Sequence, residues 1–290
     1  MTSWDALSST LNQEECNIVI ADDASADDTQ QRILDWHDAL DAIQRTRVTL
    51  LLRSVNRGLP ATLNEVLEQV HTPFFVYLAG DDWSMPGRIA KQADAMGDAG
   101  VGLSYGDALR ADEYGRIYSE TFYELHSHWA EFISTEDPFA DMLIHGNWIC
   151  APTVMFRTEM LRAIGGFDEN IAYEDHDSYT RIAKKGRLLY VDEGPLAVHR
   201  EVATSLGGQL FHAGNLKWIE GQARVELKHL GVRPSLDATL APRAFVRIAS
   251  AAKLGADPQW VRQALQTVRP FLSARDRMAS YLAVARRRRP

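Results

Sequence analysis

Three pairs of adjacent acids, Asp22-Asp23, Asp81-Asp82 and Glu174-Asp175, carry the chemistry this sequence offers, because each falls at or soon after the end of a predicted strand. Two carboxylates at the C-terminal tip of a strand repel each other. In open α/β sheets that tip is where ligands bind, so a divalent cation is a natural partner. A plain turn explains Asp81-Asp82 as well, since Asp favours turns and Pro86 and Gly87 follow closely. If the three pairs converge on one sheet edge, one carboxylate can take a pyrimidine ring or ribose and another a metal-diphosphate. The third can then deprotonate an attacking hydroxyl. The two cysteines, Cys16 and Cys150, lie far apart and suit reduced thiols without assigned chemistry. His126, His128 and His145 show no ligand spacing.

The elements that must position these acids alternate. A helix from Trp4 to about Gln13 precedes a β-branched strand, 17–21, that stops at Asp22-Asp23. Capping residues from Ser25 to Thr29 open a helix continued to Arg45, Val48 to Leu52 is a strand, and Pro60 to Val70 a helix. Phe74 to Leu78 reads as a buried strand ending in Asp81-Asp82, and a helix from Pro86 to Met96 leads to the strand Val101 to Tyr105. Asp112 to Arg116 is a hairpin-like turn, Asn147 to Arg157 is extended, and Glu159 to Ile164 is a short helix stopped by Gly165-Gly166. Ser178 to Lys185 is a helix, and Leu188 to Val191 the last predicted strand. Beyond Leu210 the periodicity is helical: Leu216 to Leu230, Pro242 to Leu254, Pro258 to Val268 and Ala274 to Arg287. Strands alternating with helices at this spacing predict an α/β, doubly wound, mostly parallel sheet over 1–210, with a helical appendage over 211–290.

At 290 residues and 46% hydrophobic the chain can bury a large core, and no apolar run approaches the ~20 residues that span a bilayer. The N-terminus lacks the basic-then-apolar pattern of a signal peptide, so the cytoplasm is the expected compartment. The formal charge of −8 is unevenly spread: 16 Lys+Arg against 34 Asp+Glu up to Leu210, then 15 against 5 from Phe211. An acidic body suits cations. The basic end, with Arg286 to Arg289, suits an anionic leaflet on the inner face of a membrane, or else simple solvation. No nucleic-acid partner is expected.

The order IVIADDASADDT, LLRSVNRGLPATLNEVLEQVHTPFFVYLAGDDWSMPGRI, GNWICAPTVMFRTEMLRAIGGFDE, YEDHDSYTRIAKKG and VHREVATS resembles the family 2 glycosyltransferases over roughly Trp4 to Ser205. The resemblance implies a GT-A fold, a nucleotide-sugar donor, most readily a UDP-sugar, a divalent cation (Mn2+ or Mg2+) and inverting transfer to an acceptor hydroxyl of a glycan or lipid-linked acceptor. By it, Asp23 with Asp22 meets the nucleobase, and Asn56, Arg57, Gly58, Asn64 and Arg53 approach the donor. Asp81 matches the second aspartate of the family's Asp-x-Asp, whereas Ala79 stands where the first would be. Asp81 is then donor-side metal ligand, with Asp82 in support and His199 as a further ligand. Asp175 is the expected general base and Glu174 the lesser candidate. Trp148, Gly166 and Phe167 are placed like the acceptor-side wall, with a core role for the aromatic equally open.

The family usually opens with a strand ahead of the first helix, and that strand is not seen here. A chain that begins upstream is the expected explanation. The alternatives are a nucleotide-sugar-binding module that has lost catalysis, suggested by Ala79, and a sugar nucleotidyltransferase, whose Gly-rich basic loop is not visible.

Overall fold

The computed structural model describes residues 3–13, 16–202, 205, 208 and 214–273. The described chain divides into two compact units, one within 1–138, 148–169 and 178–203, the other within 139–147, 170–177 and 204–290.

The first unit begins with α1 (Ser3–Leu11), β1 (Ile18–Asp22), α2 (Thr29–Asp38), α3 (Ala42–Thr46), β2 (Val48–Leu52) and α4 (Leu59–Gln69). The single helix expected up to Arg45 is broken in two. Asp41 caps α3, accepting from the Ile43 and Gln44 amides while the Gln44 side chain accepts from Asp41 N–H, so a capping box restarts the helix after Leu40 turns inward. β1 and β2 pair in parallel over their full length, and Leu7, Ile18, Trp36, Leu40 and Val48 form the core beneath them.

Next come β3 (Phe74–Phe75), β4 (Trp83–Ser84), α5 (Arg88–Ala95), β5 (Val101–Tyr105), β6 (Ala108–Ala111), α6 (Phe122–Leu125) and α7 (Ser127–Ala130). The strand expected over Phe74 to Leu78 ladders for two residues only, antiparallel to β7 (Met155–Arg157). Beyond Phe75 the run packs by its rings instead: Tyr77 stacks on Phe156 at 6.4 Å and meets Phe167 edge-on at 6.0 Å. The four-stranded sheet runs β3-β7-β5-β8, where β8 is Arg187–Tyr190, and a three-stranded sheet runs β4-β9-β6, where β9 is Ala197–Arg200. The α/β class holds. Among the described residues, however, three ladders are parallel and three antiparallel, so the sheets are mixed where alternation predicts a mostly parallel one. Tyr190 does not end the last strand: β9 follows, parallel to β6.

On α9 (Thr158–Ala163), Met160 lies over two glycines. A Cβ on Gly102 of β5 would overlap its sulfur, and one on Gly186, just before β8, would stand 2.7 Å from that sulfur. These positions are glycine because the thioether, joined at 102 by Ile182 Cγ2 at 2.7 Å, occupies the space of their side chains.

The second unit takes in all but the first residue of α8 (Pro138–His145), the start of α10 (Glu174–Ala183), α11 (Leu216–His229), α12 (Pro234–Lys253) and α13 (Pro258–Val268). Its core is alanine-rich, with Ala223, Ala241, Ala244 and Ala264 joined by Ile248, Val268 and Leu272. Small side chains let helix backbones approach closely. The helix expected from Pro242 starts eight residues earlier, at Pro234, and passes through Pro242, because Leu236, Leu240 and Ala241 are buried on its inner face. α10 likewise starts at Glu174, four residues ahead of the expected Ser178, with Glu174, Asp175 and Asp177 in its first turn, where the helix dipole favours acids. The helix expected over 274–287 lies outside the described residues. No helix among the described residues is long and apolar enough to cross a membrane.

Candidate active site

The acidic turn Asp81-Asp82 leads straight into β4, and β4 pairs antiparallel with β9 in a register that sets Trp83 opposite Val198. That register brings His199 to the turn. Its Nδ1 lies 3.1 Å from Asp82 Oδ1, and the same oxygen accepts from Arg200 N–H at 2.9 Å. Asp82 is buried and held by the Arg200 amide; the imidazole is half-buried, so its Nε2 is the nitrogen left for a cation. Burial would lower the His199 pKa, but the Asp82 bond and the charges of Asp82 and Asp81 outweigh it and raise it. Asp81 receives no bond from another side chain among the described residues, and burial, then repulsion from Asp82, push its pKa up. A carboxylate that burial and a neighbour's charge both press to bind a proton is equally pressed to bind a cation.

These residues fit a divalent ion in kind: one carboxylate oxygen set, one imidazole, and a carboxylate behind the imidazole to orient it. They do not complete a site. Among the described residues no group of three His, Cys, Asp or Glu side chains could hold a metal, in keeping with Ala79, so diphosphate oxygens and water would supply the remaining ligands.

The first acidic pair is different. Asp22 accepts from Ser25 N–H at 3.0 Å, Ser25 Oγ–H at 2.5 Å and Gln30 Nε2 at 2.7 Å. Asp23 accepts from the Arg57 and Gly58 amides at 2.9 and 2.6 Å and from Arg53 Nη1 at 3.2 Å. Burial would raise both pKa values, yet these donors lower them. With these donors on their oxygens, Asp22 ties its own turn to α2 and Asp23 ties that turn to the segment after β2, so a nucleobase N–H at Asp23 competes with donors of the protein. Arg53, expected to approach the donor, is buried and shared between Asp23, Glu65 and the Ala61 carbonyl. Asn56 donates to the Asp23 carbonyl at 2.9 Å, while the Arg57 side chain stays largely exposed, 3.7 Å from Glu65.

Asn64, expected on the donor, is committed elsewhere: its Nδ2 donates to the Phe167 carbonyl and its Oδ1 accepts from Phe167 N–H, both at 2.8 Å. Gly166 has φ +68°, and a Cβ there would stand 2.6 Å from Asn64 Oδ1, so this bracket requires glycine. Phe167 joins the aromatic core with Phe75, Tyr77 and Phe156. Trp148, expected at the acceptor-side wall or in the core, is 1% exposed, stacked on Phe132 at 5.1 Å, its carbonyl accepting from Tyr123 O–H. Of the expected acceptor wall, both aromatics are core.

In the second unit, Glu174 is buried and Asp175 half-buried at the start of α10. Asp175 Oδ1 accepts from His176 N–H at 2.7 Å and Oδ2 from Asn147 Nδ2 at 3.2 Å. Burial raises both pKa values, that of Glu174 further because Asp175 repels it. Such a pair holds a proton where isolated carboxyls would have lost it, the property required of a base working near neutrality. Asn147 stands in the fragment GNWICAPTVMFRTEMLRAIGGFDE and opens the extended run before Arg157, but carries no expected role there.

The profile of glycosyl transferase family 2 matches residues 4–165. A Mycobacterium tuberculosis (strain CDC 1551 / Oshkosh) protein, uncharacterized MT1568, is 30% identical over 217 residues, or 69% of this chain. The chain spans 63% of that relative's length. The S. aureus TarS 1-349 structure in complex with UDP-GlcNAc matches with a TM-score of 0.60 at 15% identity, over 92% of this chain and 76% of that one. The mannosyltransferase PcManGT from Pyrobaculum calidifontis, in complex with GDP-Man and Mn2+, matches with a TM-score of 0.54 at 17% identity, over 98% and 80%. The GT-A fold expected from the sequence is thereby borne out.

Proposed function

Because this chain belongs to glycosyl transferase family 2, we propose that it moves a sugar from a nucleoside-diphosphate donor to an acceptor hydroxyl, inverting the anomeric carbon in one displacement. The observation that carries this reading is Asp175, a half-buried carboxylate opening α10, oriented by Asn147 and raised in proton affinity by burial. Within hydrogen-bond reach of an acceptor hydroxyl it takes the proton as the oxygen attacks C1 and the bond to the diphosphate breaks. Inversion needs one such base and no covalent intermediate. Glu174, buried and repelled by Asp175, raises the pair's proton affinity toward the range in which a base works near neutrality.

On the donor side, Asp81 and His199 are the residues that would hold Mn2+ or Mg2+, with Asp82 fixing the imidazole. A bound cation supplies charge to offset the leaving diphosphate. UDP is the first base to test, since TarS was solved with UDP-GlcNAc, with GDP next, since PcManGT holds GDP-Man. A glycan or lipid-linked acceptor at a membrane face is the proposed partner of the basic C-terminal end, and a surface polysaccharide the proposed product.

Nucleoside-diphosphate release from a panel of nucleotide sugars, with and without Mn2+ or Mg2+, tests the reading in wild type and Asp175→Asn. Metal-stimulated release lost in the variant is the expected result. No release from any donor would favour the binding module that Ala79 suggests, and pyrophosphate as product would identify a nucleotidyltransferase.

A further inference from the structure

The helices of the second unit hold the Asp175 segment by buried charge rather than by apolar contact alone. Glu226 on α11 is 2% exposed, and its Oε1 accepts from both Arg243 Nε and Arg247 Nη1 of α12, while its Oε2 is buried without a partner. Arg243 is thereby fixed with its other two nitrogens aimed at the end of α8: Nη1 donates to the Ile144 carbonyl at 2.9 Å, and Nη2 to the Leu143 carbonyl. Those carbonyls belong to the last turn of the helix, whose orphan acceptors a guanidinium fork suits. Two residues on, past Gly146 in the left-handed region at φ +98°, stands Asn147, whose amide donates to Asp175. α10 is held from the same helix pair, by Lys228 on α11 at 2.7 Å from the fully buried Asp177. Arms from α11 and α12 thus hold the two segments that carry the Asn147 to Asp175 bond.

We propose that Arg243, clasped by Glu226, is a positioning residue that sets the Asn147 amide against the Asp175 carboxylate. The proposal rests on Asp175 being the base. Asp175 faces Glu174 and Tyr173 on its own segment and Asn147 from the chain after α8. The neighbouring His176, within reach of Asp177, Arg243 and Arg247, has its pKa lowered to about 4 by burial and stays neutral near pH 7. Loosening the clasp therefore acts on Asp175 through one neutral donor. Losing that donor raises the proton affinity of Asp175, since Asn147 bonds the ionised form.

The test compares Arg243→Gln, Arg243→Lys, Asn147→Ala, the double variant Arg243→Gln/Asn147→Ala, and Asp175→Asn in the full chain, each checked for folding by circular dichroism. Arg243→Gln and Asn147→Ala should each lower kcat about tenfold, well inside the ~100-fold that a 1 Å misplacement costs. Donor KM should stay within about twofold, and the acid limb of kcat should move to higher pH in both. The double variant should be no slower than Asn147→Ala alone. Arg243→Lys, which keeps the charge on Glu226 but lacks the fork, should fold like wild type and still show the shifted limb. A wild-type pH profile in Arg243→Lys, or additive losses in the double variant while Asp175→Asn is inactive, would overturn the clasp alone. Full activity in Asp175→Asn would overturn the base assignment and the clasp's catalytic role with it.

Discussion

Asp22-Asp23 and Glu174-Asp175 are both adjacent acids at a strand or helix boundary, yet their surroundings drive them in opposite directions. The first pair receives donors from Ser25, Gln30, Arg53, Arg57 and Gly58, and its pKa values are lowered. The second pair is raised by burial and mutual repulsion, with Asn147 and backbone amides too few to compensate. Asp81 resembles the second pair, raised by burial and by Asp82. A carboxylate whose lone pairs are filled by donors of the protein builds structure, whereas one left short of donors is ready to take a proton or a cation.

The strongest way to break this contrast is Asp175→Asn, expected to lower kcat by about 10²–10⁴-fold, the range of general-base catalysis. Nucleoside-diphosphate release measures it, and a loss under tenfold would put Asp175 outside the chemistry. Asp82→Asn comes next. By loosening His199 it should weaken metal affinity by about 10–100-fold, read as the Mn2+ concentration for half-maximal turnover, while an unchanged requirement would detach His199 from the cation.

The pH response sharpens the contrast further. Both carboxyls of Glu174-Asp175 are raised in the folded chain, so above the ordinary carboxylate range, about pH 4, the folded state holds more protons than the unfolded one. The pair's contribution to stability is therefore complete below about pH 4 and lost as pH rises through the folded values. Activity runs the other way, because the base must be ionised. Thermal melts should show Glu174→Gln removing part of the stability loss above pH 4, and an identical melt profile would count against the raised pair.

The smallest effect on activity is expected at the first pair. Asp23→Ala leaves the Arg57 and Gly58 amides without their acceptor and removes one of the three that Arg53 uses, and should cost about 1–3 kcal/mol of stability by chemical denaturation. Donor KM should hold within about twofold. A tenfold rise would move Asp23 from the scaffold into the nucleobase site.

Much of this was legible in residues alone. β-branched runs marked β1 and β2 and the Asp81-Asp82 turn stood out after an apolar run, whereas the head of α10 lies four residues ahead of the expected Ser178. What escaped was short or distant. β4 ladders for two residues and β6 and β9 for four each, too few for a period-2 pattern to register, yet their pairing is what carries His199 to Asp82. Asn64 and Phe167 are 103 residues apart, and nothing local tells an amide that brackets a backbone from one that meets a ligand. Trp148 posed the same problem: the residue type fits a sugar platform and a core equally, and only its burial decides.

The Met160 sulfur lying against Gly102 and Gly186 imposes an order on change. Neither glycine can gain a side chain while the thioether stands there. A smaller residue at 160 relieves Gly186, where the Gly100 carbonyl would lie 3.0 Å from a Cβ, but at Gly102 the Ile182 Cγ2 would still stand 2.7 Å away. Change at 186 must therefore begin on α9, and change at 102 must involve α10 as well. In a randomised library of sites 102, 160 and 182, the variants that survive with alanine at 102 should carry substitutions at both 160 and 182.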